Sequence, residues 1–82
     1  IHVGHLSDEY ACKIARKLSK DRIWEVRSKI ARKLGRLPRE CACEVALTLA
    51  RDESRLIREI VRRISDELPE ECRKRVKILA TF

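Results

Sequence analysis

Methionine, asparagine and glutamine are absent from the 82 residues, glycine and proline number two each, and tryptophan, tyrosine and phenylalanine one each. Scarce glycine and proline argue against a turn-rich β-fold. No run of about 18 apolar residues occurs, which excludes a transmembrane helix. Hydrophobic residues nevertheless make up 44% of the chain and are too regularly spaced for simple disorder. Missing thermolabile residues, beside abundant Arg, Lys and Glu, is a thermophile-like bias. The start shows no secretory signal. Ile1 is an unusual first residue, because an initiator Met is normally kept before a bulky Ile; it points to processing or to a boundary in a longer chain.

The net charge is +7, from 20 Lys+Arg against 13 Asp+Glu. Residues 1–37 hold ten basic and four acidic side chains, and residues 38–82 hold ten and nine. A basic first half suits an acidic partner, such as nucleic acid, an anionic membrane surface or an acidic protein; the plainer reading is a solvated, ion-paired helical surface.

An internal period dominates the sequence. A shift of 31 aligns Leu6 with Leu37 and Leu68, Ala11 with Ala42, Cys12 with Cys43, Ala15 with Ala46, Leu18 with Leu49, Asp21 with Asp52 and Arg27 with Arg58. Ile14, Val45 and Val76 form an aliphatic column. Residues 6–36 and 37–67 share nine identities in 31 gapless positions, and residues 68–82 restart the unit, so the chain reads as one domain of about two and a half copies. Ala11, Ile14, Ala15 and Leu18 fall on one helical stripe, as do Ala42, Val45, Ala46 and Leu49. Val26, Ile30, Leu34 and Leu37 form a second stripe, matched by Ile57, Val61, Ile64 and Leu68. Pro38 and Pro69 suit a first helical turn, Ser54 an N-cap and Gly35 a C-terminal stop. The pattern predicts an all-α fold with five helices, near 7–19, 23–35, 38–50, 54–66 and 69–80.

Asp21-x-x-x-Glu25-Val26-Arg27, Ile30-Ala31 and Leu34-Gly35-Arg36-Leu37 resemble a HEAT-like repeat of the short, phycobilisome-lyase type. The second copy departs at Arg62, Ser65 and Asp66. The resemblance implies a short right-handed α-solenoid of stacked helical hairpins. It also implies that Asp21, Arg27, Asp52 and Arg58 form a structural ladder between neighbouring repeats. The family binds proteins, nucleic acids or chromophore-protein substrates, so fold does not settle function. Stacked repeats need capped ends. Arg73 and Lys77, in place of Ala42 and Ala46, read as such a cap, while Ile78, Leu79 and Phe82 keep the last helix partly apolar.

The four cysteines follow the period. Cys12 and Cys43 hold one position of the unit, and Cys41 and Cys72 another, two residues earlier. Residues two apart on a helix point about 200° apart, so Cys41 and Cys43 face opposite neighbours. Tyr10 and Lys74 stand where a cysteine would lack a partner. This predicts two equivalent disulfides, Cys12–Cys41 and Cys43–Cys72; four reduced, buried cysteines are the alternative. One tetrahedral zinc shell cannot take both Cys41 and Cys43. Disulfides fit a secreted protein or the cytoplasm of a hyperthermophile, and the composition favours the second.

Catalytic constellations are not found. His2 and His5, expected in a tail before the first helix, would bind metal only weakly; no glycine-rich phosphate loop or Ser–His–Asp set exists. Glu9, Glu40 and Glu71 read as helix-capping acids. The expected role is therefore non-catalytic, without cofactor or metal, and without membrane attachment. Arg22, Lys29, Arg32, Lys33 and Arg36 crowd the second helix, with Trp24 beside them as a contact candidate or as packing over the turn. They suit a protein-binding scaffold, or alternatively an adaptor for a DNA or RNA backbone. Only three aromatic residues and no nucleic-acid motif favour the first.

Overall fold

Entry into each second-type helix is set by the same local chemistry. Asp21 Oδ1 accepts the backbone N–H of Ile23 at 2.9 Å, and Asp52 Oδ1 accepts that of Ser54 at 2.8 Å. These turns reverse the chain before the helix begins. Ser54 then caps its helix, its hydroxyl accepting the N–H of Ile57 at 3.4 Å. Pro38 and Pro69 stand one residue before their helices, and their carbonyls accept the first helical N–H bonds.

The computed structural model describes the backbone of residues 3–81 and the side chains of residues 7–81. Five α-helices follow in order: α1 (Val3–Leu18), α2 (Trp24–Arg32), α3 (Arg39–Ala50), α4 (Arg55–Ile64) and α5 (Glu70–Thr81). Two 3-10 turns, Leu34–Arg36 and Ser65–Glu67, follow α2 and α4. No strand occurs among the described residues. The starts of α4, α5 and the second 3-10 turn each lie 31 residues after those of α2, α3 and the first 3-10 turn. Helix α3 is central: it packs against α1, α2, α4 and α5, while α2 packs on α4 and α4 on α5. Among the described residues, α1 and α5 share no packing contact. The Cα atoms span 43 × 29 × 14 Å.

The core is aliphatic. Leu34, Leu49, Ile57, Leu68, Val45, Val61 and Val76 are its largest fully buried side chains. Ala42, Ala46 and Ala50 are buried on α3, and their small size lets its neighbours approach closely.

Four expectations change. Ile14 is 38% exposed, although its counterparts Val45 and Val76 are buried, because its side of α1 has no described helix packed on it. Helix α1 begins at Val3, so His5 lies within it and Glu9 is beyond its first turn, while His2 falls outside the described residues. Helices α2 and α4 end at Arg32 and Ile64, short of the expected 35 and 66, because the last turn tightens into 3-10 geometry. Gly35 is not a left-handed stop, since no glycine has positive φ. It sits inside the first 3-10 turn, where a Cβ would lie 2.9 Å from the Glu67 Cβ of the second. Glycine is needed there for close approach between two turns. Phe82 lies outside the described residues, and the side chain of Leu6 does too.

Candidate interaction surface

Arg27 joins α2 to the turn before α4. Its Nε donates to Asp52 Oδ2 at 2.7 Å and its Nη2 to Asp52 Oδ1 at 3.2 Å, a bidentate pair. The side chains are only 10% and 6% exposed. Nη1 donates to the carbonyls of Asp21 at 2.7 Å and Arg22 at 3.1 Å, so every edge of the guanidinium is used. The Asp52 hydrogen bond is the main cause that raises the Arg27 pKa above its ordinary value; burial opposes it. Arg58, the residue 31 positions on, donates Nη1 to the Asp52 carbonyl at 2.6 Å. Asp21 uses its carboxylate on its own turn. Of the four expected ladder residues, Arg27 and Asp52 thus make the bridge between units, while Asp21 and Arg58 serve local backbone.

The cysteines form two pairs, Cys12 with Cys41 and Cys43 with Cys72. In each the Cα atoms are 5.7 Å apart, within the range a disulfide spans. They tie α3 to α1 on one side and to α5 on the other. Arg16 to Glu44 at 2.8 Å and Arg39 to Glu71 at 3.1 Å cross the same two junctions, at the exposed surface. At the far end Arg73 donates to the Leu68 carbonyl, and Lys77 pairs with Asp66 at 2.8 Å. That pairing lowers the Asp66 pKa.

The expected contact residues divide into two groups. Arg22 and Trp24 line an open cleft of about 480 Å³ with Arg27, Glu53, Ser54 and Leu56. Trp24 and Leu56 are each 48% exposed, and Ile23 beside them is 55% exposed. Trp24 is therefore a surface residue at the mouth between the starts of α2 and α4. Lys29 and Arg32 on α2, Lys33 at its end and Arg36 in the following 3-10 turn are all exposed, and none lines the cleft. None of the four has an ion-pair partner among the described residues. Leu56 is not among the sequence-level candidates. Its signal is an apolar residue aligned with Glu25, off the stripe of Ile57, Val61 and Ile64.

Among the described residues no group of three or more His, Cys, Asp or Glu is placed to hold a metal ion, and no helix is long and apolar enough to cross a membrane. Comparison with family models, with curated proteins and with solved structures returns no match.

Proposed function

We propose that this chain is a non-catalytic HEAT-like scaffold that binds a protein partner. In this reading the hairpins stack as a short right-handed α-solenoid of about two and a half 31-residue units, stapled by the two disulfides. The observation that carries it is the Trp24–Leu56 cleft. Two half-exposed apolar side chains, flanked by Arg22 and Glu53, form a small apolar centre with a charged rim. That is the composition of a protein-binding hot spot. A cleft braced by the Arg27–Asp52 bridge holds its shape before binding, which lowers the ordering cost.

A second reading has its own observation. Lys29, Arg32, Lys33 and Arg36 are exposed and without acidic partners, as a phosphate-tracking surface requires. A salt titration of binding to generic DNA and RNA separates the two. Micromolar affinity with a steep salt slope supports the nucleic-acid adaptor, and absence of binding at low salt supports the scaffold.

A further inference from the structure

At the end of the molecule opposite α1, the exposed side of α4 and the last turn of α5 enclose a groove of about 370 Å³. Arg55, Arg58, Arg62, Glu59, Ala80 and Thr81 line it. From this groove we infer a second binding site, specific for carboxylates on an acidic segment of a protein partner. The inference rests on the scaffold reading and names the chemistry of one partner surface.

Arg58 shows how the site would work, because the molecule contains an occupied version of it. Arg27 and Arg58 are anchored alike: each donates Nη1 to the carbonyl of the Asp six residues earlier, at 2.7 and 2.6 Å. With Nη1 held, the Nε and Nη2 edge of Arg27 grips the two oxygens of Asp52. The same edge of Arg58 meets no carboxylate among the described residues, and Arg58 lines the groove. Its fork is held by an existing hydrogen bond, so little side-chain freedom remains to be lost on binding.

The surroundings select the ligand. Arg55 and Arg62, three before and four after Arg58, share its helix face and have no ion-pair partner among the described residues. Glu59, the one acid among the described residues of the groove, is drawn to Arg63 at 3.5 Å. Ile78 is 55% exposed one turn before Thr81, an apolar contact for a peptide chain. Among the described residues no aromatic side chain lines the groove to offer a base a stacking surface.

The test measures fluorescence anisotropy of a labelled, C-terminally amidated Asp-rich peptide, with a labelled single-stranded oligonucleotide in parallel at low salt. The expected result is saturable peptide binding, weakened about tenfold or more by Arg58→Lys, which keeps the charge and removes the fork. Arg62→Glu, which breaks no described contact of the fold, is expected to weaken it as much, and it carries the test if Arg58→Lys lowers the folded fraction. The double variant Lys13→Ala/Lys17→Ala, two exposed charges on α1, should bind the peptide within about twofold of the parent. Unchanged peptide binding in both Arg58→Lys and Arg62→Glu, or equal loss in the Lys13/Lys17 variant, overturns the site. If neither probe binds, the site alone falls. If only the oligonucleotide binds, the scaffold reading falls with it.

Discussion

Arg27 and Asp52 are the side chains whose loss the fold tolerates least among its charged residues. Both are almost sealed from water, and Asp52 takes two hydrogen bonds from one guanidinium. Asp52→Ala leaves that guanidinium buried without its carboxylate, which is expected to lower unfolding free energy by about 2–3 kcal/mol in a urea titration. Gly35→Ala tests a different kind of constraint. With no positive φ to relieve, alanine would ordinarily stabilise the backbone. Here its Cβ meets Glu67, so the substitution is expected to cost about 1–2 kcal/mol by the same titration. Asp66 supplies a pH signature. Its folded pKa lies below the ordinary 3.8 because Lys77 holds the carboxylate. The stabilisation is therefore complete above the unfolded pKa and is lost as pH falls through the lower folded value. In thermal melts between about pH 7 and pH 2, Lys77→Ala should melt slightly below the parent at pH 7 and converge with it near pH 2, which flattens the acid limb; the effect is small, since the pair is exposed. The Asp–Arg spacing is legible in the sequence. Which aspartate each arginine reaches is not, because a guanidinium can turn to its own turn's carbonyl or to the next unit's carboxylate, and Arg27 does both while Arg58 does the first.

Helices are the level at which the sequence is most readable here. Apolar stripes at three- and four-residue spacing place all five helices; α1 starts four residues earlier than expected, at Val3, and α2 and α4 end early, where 3-10 tightening depends on how the neighbouring turn packs. The cysteine pairing is legible for the same reason. Residues in equivalent positions on equivalent helices meet their neighbours with equivalent geometry, and both pairs have the same Cα separation. Each bridge closes a loop of about 30 residues, and chain entropy gives it about 3.6 kcal/mol as an upper value. Peptide mapping without reductant should return Cys12–Cys41 and Cys43–Cys72. Replacing Cys43 and Cys72 together by Ser should lower the melting temperature clearly, and reductant should then lower it further by opening the remaining bridge. Other pairings, or melting indifferent to reductant, would remove the staples from the account of stability.

The assembled helices turn two ends and one cleft into different surfaces. Tyr10 at 67% and Ile14 at 38% exposure make the outer side of α1 partly apolar, whereas Arg55, Arg58 and Arg62 make the α4–α5 end strongly basic. Trp24→Ala is expected to weaken capture of a cleft-bound partner by about 2 kcal/mol or more, read by calorimetry, with the melting temperature little changed because the ring is half exposed. The period, the helical content and the cysteine register are determined by the sequence alone, because they are properties of spacing and need no knowledge of how helices cross. The tertiary structure alone decides which surface residues become neighbours. Trp24 shares a cleft with Leu56, and Arg58 a groove with Ala80 and Thr81, across helices whose relative angle and distance are set by core volume. No pattern along the chain encodes that angle, so which surface residues become neighbours is decided only when the helices pack.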